Sequence, residues 1–291
     1  MISLQKRQEV ILLDAMGLKG KGLTDICGLR HDMVRTILNN YTRILVLADS
    51  HCGHKAGLTP PGWQREDHQE VVWDWYSDLV KKLKADVLFF MGDACDGKGK
   101  RSGGSELLEV TWKGQCDMAT EVIEETGCKT ITMVYGTGYH VGNDDDHEDQ
   151  VAQNVGAIIK DHAFPTCNGI QFDLKHKVAG STIPHGRSTP LQKAKLWNAM
   201  WNDHDKGQPL ADVILRGHVH YHEFTGNSTG LAMTCPALQS WGSKYGQRQC
   251  EGIVDTGLLW FDIRPGDTVA TLKWHSVFPQ FSHHQVRTYE V

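Results

Sequence analysis

Four uninterrupted apolar runs of strand length constrain this chain more than any other feature. They are RILVLA (43–48), DVLFFM (86–91), TITMVY (130–135) and DVILR (212–216). A strand with one wetted face alternates apolar and polar residues, so runs without alternation belong to strands covered on both faces. Helical periodicity fills the gaps between them. Val72, Trp75, Leu79 and Leu83 line one face of a first helix. A second is expected to start from an N-cap at Ser105 and to run through Met118 and Ile123. Val151, Val155 and Ile158 mark a third. Beyond Phe224 the chain turns strand-like in LAMTCPAL, TGLLWFDI and TVATLKWHSV, and RPGD reads as the turn of a hairpin between the last two. Strand–helix alternation followed by antiparallel strands predicts an α/β (α+β) sandwich of mixed sheets rather than a simple doubly wound sheet.

Residues 1–40 stand apart from this pattern. QKRQEVILLDAMGL has helical spacing, and GLTDICGLRHDMVRTILNNY reads as a short helix, a turn near Gly28 and a helix carrying Val34, Ile37 and Leu38. That is a candidate helix-turn-helix. The expected organisation is a helical segment over 1–40 and one domain over 41–291. The segment is only modestly basic: Lys6, Arg7, Lys19, Lys21, Arg30 and Arg35 are offset by Glu9, Asp14, Asp25 and Asp32. A helical cap or dimerisation arm is the plainer reading of it. The formal net charge of −5 speaks against a broad basic surface for nucleic acid and leaves a local basic site open. The eight cysteines show no C-x-x-C spacing and read as free thiols of a reducing compartment. The first twenty residues hold no apolar run long enough for a signal peptide or a membrane span. A cytoplasmic protein without membrane contact is expected.

The polar residues gather where the apolar runs stop. The first run ends in Asp49 and His51, the second in Gly92, Asp93 and Asp96, the third in Gly136, Thr137, His140 and Asn143. STIPHGR presents His185 and Arg187, and RGHVHYH presents His218, His220 and His222. Sites in open α/β sheets form beyond the carboxyl ends of the strands. Alternation at a strand end would turn His218 and His220 towards a common point. Sixteen histidines are a first hint of metal chemistry, although a histidine-rich surface gives the same count. Each triplet alone is weak, since a capping Asp beside a surface His is common. The ordered set of D-x-H, G-D-x-x-D, a glycine turn with His, a late His and G-H-x-H carries the weight.

In that order the chain resembles the calcineurin-like metallophosphoesterases, whose motifs are D-x-H, G-D-x-x-[DN], G-N-H-[DE], a later His and G-H-x-H. The resemblance covers about residues 43–275, and ADSHCGHKAGLTPP is similar to a stretch of uncharacterised phage and bacterial members. It implies a four-layer αββα sandwich of two mixed β-sheets flanked by helices, with two divalent metal ions at the strand ends. It implies phosphodiester hydrolysis by a metal-bridging hydroxide. Two such ions about 3.5–4 Å apart stabilise the attacking, non-bridging and leaving oxygens of a phosphoester. Carried over position by position, Asp93 bridges the ions. Asp49, His51 and His220 complete one position, and His185 and His218 serve the other. Mixed nitrogen and oxygen donors suit Mn, Fe, Zn, Ni or Co.

The third motif departs from the family, with Thr137 where Asn is expected and His140 two places late. Either His140 supplies the missing ligand or it is the general acid on a longer loop; the general acid is the expectation, since imidazole suits proton transfer near neutral pH. Asn143 could echo the motif but lies well past the strand end. His176, in FDLKHKVAG, competes with His185 as the later ligand, but its alternation suggests a strand interior, so His185 is expected. Asp96 is expected to orient the catalytic histidine or a substrate group. His54 and Arg187 are candidates for substrate contact, the arginine through its planar fork. His222 lies outside the motif, and Asp144–Asp146 read as a helix start. The expected function is a dinuclear phosphoesterase acting on phosphodiesters. The alternatives are a DNA or RNA nuclease of the same superfamily and a non-catalytic metal-binding scaffold.

Overall fold

The structure is a computed structural model that describes residues 2–98, 103–140, 147–204, 207–244 and 254–279. Asn143, Asp144–Asp146 and Cys250 fall outside the described residues. Two mixed sheets stack face to face. The first has the order β11-β10-β1-β2-β3-β4 and the second β5-β6-β7-β9-β8. In the first, β1 (Thr42–Leu47), β2 (Val87–Phe90), β3 (Thr130–Val134) and β4 (Ile158–Lys160) run parallel. The hairpin of β10 (Leu258–Ile263) and β11 (Lys273–Val277) adds antiparallel strands beside β1. In the second, β6 (Ile170–Lys175), β7 (Val213–Arg216) and β9 (Gly230–Thr234) are parallel. Edge strands β5 (Thr166–Cys167) and β8 (Glu223–Asn227) are antiparallel to their neighbours.

The continuous apolar runs follow from burial on both faces. In β1, Leu45 and Leu47 join the core beneath α4 (Asp67–Leu83), α5 (Trp112–Glu124) and α6 (His147–Val155). Ile44 and Val46 point the other way, into the core between the sheets. β2 divides likewise, with Leu88 and Phe90 under the helices and Phe89 and Met91 between the sheets. From the second sheet, Phe172, Leu174, Val213 and Leu215 complete the inter-sheet core. The outer face of that sheet is covered by α7 (Thr189–Asp203), whose Leu191 packs on Ile214 and Ala232. The layers are therefore helix, sheet, sheet, helix, the αββα arrangement expected.

The second helix starts later than expected. Thr111, not Ser105, caps α5, its hydroxyl accepting from Gly114 N. Ser105 lies in the preceding loop and accepts from Lys244 Nζ. The three N-terminal helices, α1 (Leu4–Ala15), α2 (Gly20–Cys27) and α3 (His31–Asn39), share a small core of Val10, Ile11, Leu23, Val34 and Ile37. They attach to the hairpin end of the first sheet through Asp14, which lies 3.5 Å from Arg264 and 3.8 Å from Lys273. Among the described residues, no helix is long and apolar enough to cross a membrane, and all seven described cysteines are free thiols.

Candidate metal centre

The loops after β1, β2, β3, β6 and β7 meet at one end of the sandwich. Backbone hydrogen bonds zip the first two together: His51 N and Cys52 N donate to the carbonyls of Asp93 and Ala94, and Asp96 N returns to Cys52 O. Three overlapping groups of donor atoms result, each with its atoms within 4.8 Å of one another: Asp49–His51–His220, His51–Asp93–His140 and Asp93–His176–His218. Asp93 and His51 each belong to two of the groups.

Tautomers are set by the partners behind the rings. His51 Nδ1 lies 3.1 Å from Asp96 Oδ1, an N–H donated to a carboxylate, which leaves the Nε2 lone pair facing inward. That nitrogen lies 3.1 Å from His220 Nε2, which in turn lies 3.3 Å from Asp49 Oδ1. His176 donates Nδ1–H to Met91 O, and its Nε2 stands 3.0 Å from Asp93 Oδ2. This buried Nε2 makes no hydrogen bond of acceptable geometry among the described residues. His140 donates Nδ1–H to Asp96 O at 2.6 Å and turns Nε2 towards Asp93 Oδ2 at 4.0 Å. Imidazoles held from behind by carboxylate or carbonyl acceptors, with the other nitrogen aimed at a shared point, form the usual outer support of metal ligands. The donor set and its pre-set lone pairs fit divalent cations.

Electrostatics agree with the geometry. Burial alone would raise the Asp93 carboxyl, but His176 and His140 hold it well below the usual carboxylate range. Asp49 is likewise lowered, against its burial, chiefly by His220. Burial pulls His51 down to about 4 despite Asp96, so its ring is neutral and able to ligate near neutral pH. Burial also lowers His218. His176 goes the other way: burial opposes its charge, but Asp93 and Asp49 raise it to about 10. With no ion bound, its charged form offsets part of the charge of these two buried carboxylates.

The backbone is bent to make this convergence. Asp49, His51, Asp93, His218 and His220 all have positive φ, between 44° and 75°. Non-glycine residues in this region are costly, and they cluster at functional sites. Strand alternation is therefore not what aims His218 and His220. β7 stops at Arg216, and two left-handed residues beyond it send one imidazole towards Asp93 and the other towards Asp49. Gly136 is needed for a different reason. A Cβ there would lie 2.1 Å from Asp93 Oδ1 and 2.4 Å from Asp93 N, so the third loop can press on Asp93 only without a side chain.

His185 is not at the centre. It sits exposed on the 3-10 turn Pro184–Gly186, outside all three groups. The late histidine of the cluster is His176, directly after β6, because β6 is the strand whose end faces Asp93. His54 is buried beside the site but turned into its own loop, with Nδ1 accepting from Ala56 N and Nε2 3.6 Å from Glu106. The Arg187 guanidinium lies over the ring of Tyr221, which follows His220, at 4.3 Å from its centroid. His222 bonds Thr234 O and packs among Phe224, Trp274 and Phe278, away from the cluster. Thr137 contributes its backbone N–H, which donates to Asp93 Oδ1 at 2.7 Å. Sequence reasoning missed Glu148. From the first turn of α6 its buried carboxylate accepts from Ala94 N at 2.8 Å and Gly136 N at 2.6 Å, tying the second and third loops together. Burial, then Asp93, raises it to about 7. Its place on the acidic first turn of α6 gave no sign of that reach.

A comparison with protein-family models gives no match, and neither does one with curated proteins. Solved structures give loose, low-identity matches. An archaeal protein described as a novel phosphodiesterase is 14% identical, with a TM-score of 0.42, over 82% of this chain and 100% of its own. Vacuolar protein sorting 29 of Cryptosporidium parvum is 11% identical, with a TM-score of 0.42, over 83% of this chain and 100% of its own. A Streptococcus pneumoniae protein described as a predicted phosphoesterase is 13% identical, with a TM-score of 0.35, over 81% of this chain and 98% of its own. The chemistry of the site therefore rests on its own residues.

Proposed function

We propose that the chain hydrolyses phosphodiesters at a two-metal centre bridged by Asp93. The observation that carries this reading is the sharing of Asp93 between the His51–His140 and His176–His218 groups. Asp49, His51 and His220 would hold one ion, and His176 and His218 the other, with Asp93 between them. Two bound divalent ions supply charge stabilisation for the attacking, non-bridging and leaving oxygens; the mixed donors admit Mn, Fe, Zn, Ni or Co. The chain's own residues do the remainder. Asp96 fixes His51 through its carboxylate and His140 through its carbonyl, so it orients rather than reacts. His140, half-buried and at the rim of the cluster, is placed to hold a proton at Nε2 for the leaving oxygen. Its inclusion with His51 and Asp93 also favours a second reading, in which it ligates in place of the asparagine absent at Thr137.

The test combines metal analysis with turnover of a phosphomonoester, a phosphodiester and a cyclic phosphodiester. Two ions per chain and preference for the diesters are expected. Asp93→Ala should lose both ions and all turnover, and retention of metal by that variant would sink the bridging assignment. Two bound ions without turnover on any of the esters would identify a metal-binding scaffold instead.

A further inference from the structure

Lys175 and Lys177 flank His176 on either side in sequence but face the other way. Strand alternation sends Phe172 and Leu174 into the inter-sheet core and Asp173 and Lys175 to the outer face, under α7. There they border a groove of about 300 Å³, closed on its far side by Lys193, Trp197 and Trp201 of α7. The floor is rigid and charge-balanced. Asp173 is held by Arg216 Nη1 and His162 Nε2, both at 2.7 Å, and Asn198 joins it to the loop at Pro209 and Ala211.

The rim has a different character. Lys175, Lys177 and Lys193 are exposed and make no ion pair among the described residues. Trp197 and Trp201 are 55% and 41% exposed, although tryptophan is ordinarily well covered. Four residues apart on one helix, the two rings lie on the same face about one turn from each other. Flat apolar rings in series, bordered by unpaired cations, are complementary to a ligand that alternates flat faces with negative charge. Single strands of nucleic acid have this chemistry: bases stack on aromatic rings while the backbone follows basic residues. A peptide of acidic residues alone would satisfy the lysines and leave both rings without partners.

We propose that this groove binds single-stranded nucleic acid, with bases on Trp197 and Trp201 and phosphates against Lys175, Lys177 and Lys193. The inference goes beyond phosphodiester hydrolysis and does not depend on it, because it concerns binding on the opposite face of the second sheet. It also gives the chain a local basic surface despite its overall negative charge.

The experiment uses the full chain with EDTA present, so that failure of the metal reading leaves the result intact. A fluorescently labelled 15-mer of deoxythymidine is titrated at low salt and followed by anisotropy and tryptophan quenching. Saturable binding with quenching is expected. Trp197→Ala and Trp201→Ala should each weaken it by about 5- to 150-fold, the range found for base–aromatic stacking. Lys177→Glu with Lys193→Glu should weaken it and flatten its salt dependence. Thermal midpoints of the three variants should match the parent, since all four side chains are exposed. Three results would overturn the proposal: no binding at low salt, undiminished binding in both tryptophan variants, or equal competition by polyglutamate of the same charge. Equal affinity for a duplex would likewise overturn the single-strand assignment.

Discussion

Removing His176 tests the centre at the point where sequence order and geometry part. In the metal-free protein this ring is protonated beside Asp93, with Nε2 3.0 Å from Oδ2 and both side chains 1% exposed. His176→Ala leaves Asp93 and Asp49 buried with one fewer cation, and breaking a buried pair in this way costs about 3–5 kcal/mol. For a domain of this size each kcal/mol lowers the midpoint by about 2–4 °C, so a fall of roughly 6–20 °C is expected. The sign with pH follows from the raised pKa. The pair's contribution is complete below the unfolded value near 6.5 and is lost as pH rises through the folded value of about 10. The gap in midpoint between parent and variant, measured with EDTA, should therefore be wide at pH 6 and narrow towards pH 10. With metal present, the variant should lose one of two ions, and its affinity for that ion should fall by more than the 10- to 100-fold that a lost outer partner costs. His185→Ala should change neither midpoint nor metal content. The assays are calorimetry and metal analysis of dialysed protein. If His185→Ala loses an ion while His176→Ala keeps both, the reasoning from the β6 strand end is refuted.

Three further tests bear on other parts of the chain. Gly136→Ala forces a Cβ to within 2.1 Å of Asp93 Oδ1, and the loop must move by about an ångström; a misplacement of that size costs on the order of 100-fold in turnover, with the fold intact by circular dichroism. Unchanged kcat would show that the third loop does not position Asp93. His140→Ala separates its two roles: a general acid matters most for a poor leaving group, so an alkyl ester should slow far more than a nitrophenyl ester, with both ions retained. Equal slowing with loss of one ion would make His140 a ligand. Deleting residues 2–38 should leave turnover of small phosphodiesters largely intact, since the cluster draws nothing from α1–α3; a loss of metal on deletion would contradict this.

The layering was legible because burial on both faces writes itself as unbroken apolar runs: β2, β3 and β7 fall within three of the four runs, and β1 starts one residue before the other. Asp49, His51, Asp93, His218 and His220 were legible because they sit within a few residues of those runs. What failed depended on distances that sequence does not carry. His176 followed a run that alternates, since one face of β6 meets the polar groove under α7, and so it read as an interior residue. His185 looked better placed because it follows the short stretch STIP, which is irregular and does not lead to the strand ends. His54 stood near the first motif, yet its ring is engaged by Ala56 and Glu106. Glu148 acts across more than fifty positions, on Ala94 N, and no local pattern marks such a contact.

The left-handed turns at the centre have a consequence for engineering. Each of the five residues costs of order 1–3 kcal/mol in backbone strain, a load the two sandwich cores must outweigh. Replacing His218 or Asp49 by glycine would relieve local strain while discarding a donor atom. A search for thermostable variants, run without regard to turnover, should therefore drift towards glycine at these positions and yield sturdier chains with emptied centres. Selection for stability and selection for metal chemistry pull this fold in opposite directions at the same few residues.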